Sequence, residues 1–241
     1  PAIAAIGTAL KPFPKIAAIG RRILGHRTEQ THPKVHERMM AAASAMAASD
    51  MILSPSTDLL QRMTKLGFPT PQKTNLPLLR PAIVGQPVPN GPVRFLFASS
   101  IIPTKGPDRV INAFLAMNDS ATLTIAGHAP DFPTRPNYAK RLRNSIVDHP
   151  NIQWLGAVAA EQIPELMANH DVLVLPSLWP ENSPLVVREA TAAGLQVIAS
   201  AAGGAGELAP HAILLEQDGD LLAAMTRLAK DGRMRPPPAH W

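Results

Sequence analysis

The chain has 241 residues, of which 46% are hydrophobic and only 17% are charged, so it can bury a core and is not a disordered tail. It contains no cysteine, which excludes a disulfide scaffold and thiolate chemistry and suits a reducing, cytoplasmic compartment. No apolar run approaches the roughly 20 residues that a membrane-spanning helix needs. With only 4% aromatic residues for base stacking, we expect no nucleic-acid partner.

The net charge of +5 is unevenly distributed along the chain. Residues 1–80 hold 11 Lys and Arg against 4 Asp and Glu, whereas residues 81–241 hold 12 against 14. The first 27 residues contain five basic side chains and no acidic one. Such a basic, apolar segment can lie on an anionic membrane surface, which would place the protein at the inner face of a membrane as a peripheral protein. Equally, its helices can pack on a neighbouring domain with their charges in water.

The N-terminal third predicts two helices and a short strand. Residues 33–49 are expected to form a helix that opens at Pro33. The segment "DMILSPS" predicts a strand that leads into a second helix, with Ser56 as its N-cap and Gly67 at its end. Residues 79–92, "LRPAIVGQPVPNGP", are rich in proline and glycine and are predicted to be an interdomain linker. They would separate a region of residues 1–78 from a domain of residues 93–241.

After the linker, apolar strand patterns alternate regularly with helical ones. Strands are predicted at residues 93–98, 121–127, 151–156, 171–177, 195–200 and 211–216. Helices are predicted to begin near residues 107, 136, 161, 184 and 219. This alternation is typical of an α/β fold, a doubly wound, Rossmann-like parallel sheet with helices on both faces.

Four loops with unusual chemistry follow the predicted strands. They are "SSIIPTKG" (99–106), "GHAP" (127–130), "PSLWPENSP" (176–184) and "SAAGGAGE" (200–207). In open parallel sheets, ligands bind beyond the carboxyl ends of the strands. Glycines, free hydroxyls, one lysine and isolated acids thus gather at the edge where a ligand is expected, which predicts a binding site there.

The helix predicted from Pro184 begins in the third of these loops. Ser183 can cap it and Pro184 suits its first position. The N–H groups of Leu185 and Val186 would then have no acceptor within the helix, and such groups attract phosphate.

Two glutamates flank this predicted helix start. Glu189 lies five residues beyond Pro184, or about 7.5 Å along the helix axis. That is about the distance from the phosphates of a nucleotide to its ribose, and a carboxylate can accept hydrogen bonds from both ribose hydroxyls. Glu181, just before the helix, would face the group attached to the distal phosphate. This arrangement of the two carboxylates suits the binding of a nucleotide and its attached group better than it suits a general acid and base pair.

Residues 93–209 resemble the donor-binding half of the retaining family-4 glycosyltransferases with the GT-B fold. The resemblance lies in Glu181 and Glu189, which are separated by seven residues within "ENSPLVVREA", and in "PTKG", "IAGHAP" and "AAGGAGEL". It implies transfer of a sugar, with retention, from a nucleotide-diphosphate sugar to a polysaccharide, lipopolysaccharide or lipid-linked acceptor in cell-envelope synthesis. It implies no cofactor and no obligatory metal ion.

The resemblance also implies roles for individual residues. Glu189 would hold the ribose, and Glu181 would contact the donor sugar. Lys105 and the helix N-terminus would hold the diphosphate, so Glu181 and Lys105 are the candidate catalytic residues. Gly203 and Gly204 would let the backbone approach the donor. The predicted donor-site residues are Ser99, Ser100, Lys105, Gly127, His128, Glu181, Asn182, Ser183, Pro184, Leu185, Val186, Glu189, Gly203 and Gly204.

Two departures from the family pattern leave an alternative open. The family usually has Gly-Arg where this chain has Ser99 and Ser100, so a bidentate phosphate contact is lost. Either Lys105 makes more of the phosphate contacts, or Arg188 contributes to them, or the sugar nucleotide is bound weakly. Residues 1–78 resemble only the closing elements of an acceptor domain, so we expect the 241-residue chain to bind nucleotide without transferring sugar. A non-catalytic nucleotide-binding or scaffold domain of the same fold is the alternative.

Overall fold

The computed structural model describes residues 33–68, 71–74, 82–85, 91–117, 120–132, 134–216 and 220–231. The chain divides into two compact units, Pro1–Asn75 and Leu76–Trp241. The basic segment of residues 1–27 and much of the predicted linker lie outside the described residues. Among the helices in the described ranges, none is both long and apolar enough to cross a membrane.

The first unit contains helix α1 (Pro33–Ala47), strand β1 (Leu53–Ser54), helix α2 (Thr57–Lys65) and strand β2 (Gln72–Lys73), and the two short strands pair in parallel. The prediction did not include β2, whose two residues, Gln72 and Lys73, are both exposed and show no apolar pattern.

Both predicted ends of α2 are confirmed. The Ser56 side chain accepts a hydrogen bond from the N–H of Leu59 at 3.2 Å. At the other end, Gly67 takes a left-handed conformation with φ of +85°. The N–H groups of Gly67 and Phe68 return to the carbonyl groups of Thr64 and Met63, at 3.0 and 3.1 Å. This pair of bonds is a Schellman motif, which satisfies carbonyls that the helix end would leave without donors.

The second unit is an alternation of strands and helices. Its strands are β3 (Val93–Ala98), β4 (Ala121–Ala126), β5 (Ile152–Gly156), β6 (Val172–Leu175), β7 (Gln196–Ser200) and β8 (Ile213–Leu215). Its helices are α3 (Pro107–Leu115), α4 (Tyr138–Asn144), α5 (Ile163–Ala168), α6 (Leu185–Ala192), α7 (Ala205–Leu208) and α8 (Leu221–Asp231). One-turn 3₁₀ helices occupy Pro103–Lys105 and Ala160–Gln162. All six strands are parallel, in the order β5-β4-β3-β6-β7-β8, which confirms the predicted doubly wound fold.

The central strands are apolar because both of their faces are covered. In β3, Phe95 and Phe97 pack into one core layer, while Leu96 and Ala98 pack into another on the opposite face. This alternation follows from the pleat of a strand, and two apolar layers require helices on both sides of the sheet.

The strand order creates a switch point between β3 and β6. From β3 the chain proceeds outward to β4 and β5, and then returns to β6 before it proceeds outward in the other direction to β7 and β8. At such a point the loops that follow the two central strands separate and leave a crevice. The loops of residues 99–106 and 176–184 therefore border the same crevice.

Among the differences from the prediction, three concern helices of the second unit. The helix expected to begin near residue 136 extends from Tyr138 to Asn144, and it begins late because Asn137 takes a left-handed conformation with φ of +56°. The helix expected near residue 161 begins as a 3₁₀ turn and becomes α-helical at Ile163. The loop after β7 contains the four-residue helix α7, which is too short to produce a helical period in the sequence.

Candidate functional site

A cavity of about 460 Å³ opens at the carboxyl edge of the sheet, beside the switch point. Its walls come from the ends of β3, β4, β5 and β6 and from the start of α6. The predicted site residues that line it are Ser99, Ser100, Lys105, Gly127, His128, Glu181, Pro184, Leu185, Val186 and Glu189. Asn182, Ser183, Gly203 and Gly204 were also predicted but do not line it.

The two candidate catalytic residues are in direct contact. The Nζ atom of Lys105 donates a hydrogen bond to Oε1 of Glu181 at 2.6 Å, and their side chains are 17% and 12% exposed. The same oxygen accepts hydrogen bonds from Ser177 Oγ at 2.6 Å and from Trp179 Nε1 at 3.2 Å. Lys105 Nζ also lies 5.6 Å from the centre of the Trp179 ring. This charged cluster stands at the side of the cavity.

Lys105 reaches this place because the loop after β3 folds tightly onto the loop after β6. The 3₁₀ turn Pro103–Lys105 ends at Gly106, which has φ of +71°. A Cβ atom at Gly106 would lie only 2.6 Å from the carbonyl oxygen of Pro176. The N–H of Leu178 donates to the carbonyl of Thr104 at 2.8 Å. The turn therefore needs a glycine, and it fixes the spacing of the two loops that carry Lys105 and Glu181.

Gly203 and Gly204 hold the backbone of Glu181. Gly203 forms a parallel bridge with Glu181, and the N–H of Gly204 donates to the Glu181 carbonyl at 2.7 Å. Gly203 has φ of +102°, and a Cβ atom there would lie 2.2 Å from the carbonyl oxygen of Glu181. The prediction was that these glycines let the backbone approach the donor, but in the structure the backbone that they approach is that of Glu181, which lines the cavity.

The predicted cap of α6 is wrong by one residue. Pro184, with ψ of 112°, is the N-cap, and the Ser183 side chain makes no capping bond. Instead, Ser183 Oγ is buried without a hydrogen-bond partner among the described residues. The fixed φ of proline suits both a cap and a first helical position, so the sequence alone does not distinguish the two.

The change of cap does not alter which amides are candidates to bind phosphate. The carbonyl of Pro184 accepts from the N–H groups of Val187 and Arg188, at 3.0 and 3.4 Å. The N–H groups of Leu185 and Val186 precede these and have no acceptor within the helix. Both residues line the cavity, so an anion there would meet two amides at the positive end of α6.

Glu189 and Arg188 are neighbours on α6 with different surroundings. Glu189 is partly buried and lines the cavity one turn into the helix. Arg188 is only 1% exposed, and burial lowers the pKa of its guanidinium. It does not line the cavity. Arg188 therefore does not replace the family arginine, and Lys105 is the cation of the lining residues.

The ends of β3 and β4 form the opposite wall. Gly127 has φ of +154°, and a Cβ atom there would lie 1.8 Å from the carbonyl of Ser99. The loop is closed by the N–H of Ile101, which donates to the carbonyl of His128 at 2.8 Å. The exposed His128 side chain lines the cavity, as do Ser99 and Ser100.

The apolar part of the cavity lining and two hydrogen-bond partners of Glu181 were not predicted from the sequence. Ala157, Val158 and Ile163 line the cavity from the segment that follows β5. Their position at the carboxyl edge was a usable signal, but apolar residues carry no chemistry that marks a site. Ser177 and Trp179 stand four and two residues before Glu181, and only the folded loop shows their shared contact with its carboxylate.

No group of three or more histidine, aspartate or glutamate side chains within the described ranges is arranged to hold a metal ion. The charged groups at the cavity are instead Lys105, Glu181 and Glu189.

The C-terminal unit matches a known family in sequence. Residues 82–236 match the model of the glycosyl transferases group 1. The putative glycosyltransferase YtcC of Bacillus subtilis is 34% identical over 125 residues, which are 49% of this chain and 30% of that protein. A GDP-mannose-dependent alpha-(1-6)-phosphatidylinositol monomannoside mannosyltransferase of Mycobacterium tuberculosis is 32% identical over 122 residues, 47% of this chain and 31% of that protein. The match thus spans less than a third of the length of these relatives.

Solved structures share the fold. Anabaena Alr3699/HepE, determined in complex with UDP and glucose, has a TM-score of 0.63 and 20% identity, and the likeness covers 81% of this chain and 59% of that one. Sucrose-phosphate synthase from Thermosynechococcus elongatus has a TM-score of 0.65 and 19% identity, with 87% and 56% covered. Because the family model matches well over half of its residues, the chain belongs to the glycosyl transferases group 1.

Proposed function

We propose that this chain supplies the donor-binding half of a retaining, family-4 glycosyltransferase. The enzyme would move a sugar from a nucleotide-diphosphate sugar to an acceptor. The observation that carries the proposal is the convergence in one cavity of Lys105, Glu181, Glu189 and the amides of Leu185 and Val186. These groups match the three parts of such a donor: diphosphate, ribose and sugar.

The diphosphate would lie at the N-terminus of α6. There it meets the N–H groups of Leu185 and Val186 and the ammonium group of Lys105. A lysine has three donors, so Lys105 can keep its bond to Glu181 while it donates to phosphate oxygens. As the bond between sugar and diphosphate breaks, the negative charge that develops on the leaving group is stabilised by these same donors. The proposal therefore requires no metal ion and no cofactor.

The nucleoside would occupy the rest of the cavity. Glu189, one turn into α6, would accept hydrogen bonds from the ribose hydroxyls. The apolar surface of Ala157, Val158 and Ile163 suits one face of a base. Structures of Alr3699/HepE, a structural neighbour, contain UDP and UDP-glucose, which is in keeping with a nucleotide-sugar ligand.

The acceptor is proposed from the relatives. The mycobacterial relative is named for transfer to a phosphatidylinositol monomannoside. A structural neighbour with a TM-score of 0.63 is a lipopolysaccharide outer core galactosyltransferase, WaaB. A saccharide or lipid-linked acceptor in cell-envelope polysaccharide synthesis is in keeping with both. A peripheral contact of the basic residues 1–27 with the inner face of the membrane, in a cytoplasmic protein, belongs to the same proposal.

A thermal-shift screen tests the proposal. The chain is mixed separately with UDP-, GDP-, dTDP- and ADP-sugars and with the corresponding nucleoside monophosphates. A ligand that binds only the native state raises the melting temperature, so we expect one base to stabilise the chain as its sugar nucleotide and less as its monophosphate. The same ligand should shift Glu189→Ala less than wild type. No shift with any sugar nucleotide at millimolar concentration would contradict the proposal.

A further inference from the structure

Trp179 contacts both members of the Lys105–Glu181 pair. Its side chain is 49% exposed, and a single exposed aromatic residue would by itself need no explanation. However, its indole N–H donates to Oε1 of Glu181 at 3.2 Å, and its ring lies 5.6 Å from the ammonium group of Lys105. Trp179 is thus tied to the two charged side chains on which sugar transfer is proposed to depend.

The hydrogen bonds around Glu181 all end on the same oxygen. Lys105 Nζ and Ser177 Oγ approach Oε1 at 2.6 Å, in addition to the indole N–H of Trp179. No hydrogen bond within the described residues ends on the other oxygen, Oε2. A carboxylate whose one oxygen accepts three donors is fixed in orientation and presents its second oxygen as an acceptor.

The three groups that donate hydrogen bonds to Glu181 are expected to respond differently when a sugar nucleotide binds. Lys105 is charged, and under the proposed function the diphosphate competes for its protons. Ser177 is 4% exposed, and its carbonyl accepts from Ser200 Oγ at 2.6 Å, which ties it to β7. The indole N–H of Trp179 is neutral and can only donate, so it has no reason to leave Glu181. It keeps the orientation of the carboxylate while Lys105 shares its protons between Glu181 and the phosphate oxygens.

We propose that Trp179 is a positioning residue of the sugar subsite. Its indole N–H orients Glu181 so that Oε2 accepts a hydrogen bond from a hydroxyl of the donor sugar. Its ring holds the ammonium group of Lys105 by a cation–π contact. This inference rests on the proposed function, and it assigns to Trp179 a part of the discrimination between a sugar nucleotide and the bare nucleoside diphosphate.

The variant Trp179→Phe tests this, because phenylalanine keeps an aromatic ring and removes the N–H. Calorimetric titrations use two pairs of probes, UDP with UDP-glucose and GDP with GDP-mannose. For the pair that wild type binds, Trp179→Phe should weaken the sugar nucleotide about fivefold, since a hydrogen bond to a charged group is lost. The nucleoside diphosphate should change less than about twofold. Trp154→Phe removes an indole from β5 that does not line the cavity, and it should change neither affinity.

A double variant separates positioning through Glu181 from direct contact. In a Glu181→Ala background, the effect of Trp179→Phe should vanish, because the group through which it acts is gone. An equal loss for both ligands of a pair, or an effect that persists without the carboxylate, would overturn the inference while the proposed function stands. If wild type binds only a dTDP- or ADP-sugar, that sugar nucleotide and its nucleoside diphosphate replace the pair. If wild type binds no UDP-, GDP-, dTDP- or ADP-sugar, the proposed function fails and the inference fails with it.

Discussion

The two ends of the β3–β6 strand pair show the same chemistry put to different uses. At the carboxyl edge, Lys105 beyond β3 pairs with Glu181 beyond β6 at 2.6 Å. At the amino edge, Arg94 near the start of β3 pairs with Asp171 just before β6 at 2.8 Å. The partners are 76 residues apart in one pair and 77 in the other. Each pair joins the two central strands of the sheet.

The two pairs differ in what surrounds the carboxylate. The Asp171 side chain is 2% exposed and accepts three hydrogen bonds from Arg94, from its backbone N–H, Nε and Nη2. These hydrogen bonds raise the pKa of the Arg94 guanidinium. Both oxygens of Asp171 are engaged, so nothing is presented to a ligand. Glu181 has one engaged oxygen and lies at a cavity. The Arg94–Asp171 pair is therefore a closed pair, which joins the two strands, and the Lys105–Glu181 pair is an open pair, which leaves Oε2 of Glu181 without a donor among the described residues.

The largest effect is expected where the closed pair is broken. Asp171→Ala should lower the free energy of unfolding by about 2–4 kcal/mol, because it leaves Arg94 without its charged partner and three of its donors without their acceptor. Urea denaturation measures this change. Asp231→Ala, which breaks the exposed Arg227–Asp231 pair on α8, is the control and should change stability by less than about 0.5 kcal/mol. Equal effects of the two changes would show that the amino-edge pair is not structural.

Glu189→Ala tests the cavity at the carboxyl edge of the sheet. It should weaken nucleotide binding by about 1–3 kcal/mol, since the ribose hydroxyls lose a charged acceptor. Glu189 is not one of the residues of the two hydrophobic core layers, so the circular dichroism spectrum should stay that of wild type. Calorimetry gives the affinity, and an unchanged value with an intact spectrum would remove Glu189 from the ribose site.

Glu181→Ala should change the affinities for two ligands by different amounts. It should weaken the sugar nucleotide by about 1–2 kcal/mol and the bare nucleoside diphosphate by less, because Glu181 is proposed to face the sugar. Loss of the carboxylate also frees Lys105 for the diphosphate, which favours the same difference. Calorimetric titration of both ligands measures it, and equal losses would contradict the assignment.

The smallest effect is expected from Ser100→Arg, which introduces the base that is usual in the family. The exposed position can hold the longer side chain, and diphosphate binding should tighten by about 0.5–1 kcal/mol. Because the gain is electrostatic, it should shrink as salt is added. Ser100→Gln, of similar length without charge, is the matched control. A gain that salt does not reduce, or no gain, would mean that another group already meets the phosphates.

The fold and the main site residues were predictable for a local reason. Continuous apolar runs such as residues 93–98 mark strands that are covered on both faces, and their alternation with helices leaves few topologies. Once the sheet is parallel, the edge at which Lys105, Glu181 and Glu189 gather follows from chain direction alone. A short motif then distinguishes the glutamates from surface charges.

What could not be predicted depends on contacts between distant segments. Position 203 requires a glycine because a Cβ atom there would collide with the backbone of Glu181. The residues next to Gly203 in the sequence give no sign of this contact. The triple hydrogen bond to Oε1 of Glu181 requires the loops after β3 and β6 to meet. Whether Pro184 is the cap of α6 or its first helical residue depends on the ψ angle of Pro184. Proline fixes φ but not ψ, so the sequence does not decide between the two.

The central claim is that the first amides of α6 hold the diphosphate. Leu185→Pro tests it most directly, because it deletes one backbone N–H at a position where proline suits a helix. The extended conformation of Pro184 already matches what a following proline requires. Leu185→Ala, which keeps the amide, is the control for the lost side chain. Calorimetry with UDP, GDP, dTDP and ADP should show about tenfold weaker binding of the preferred nucleotide to Leu185→Pro than to Leu185→Ala, the loss of one hydrogen bond to a charged group. Equal affinities of these two variants would contradict the account.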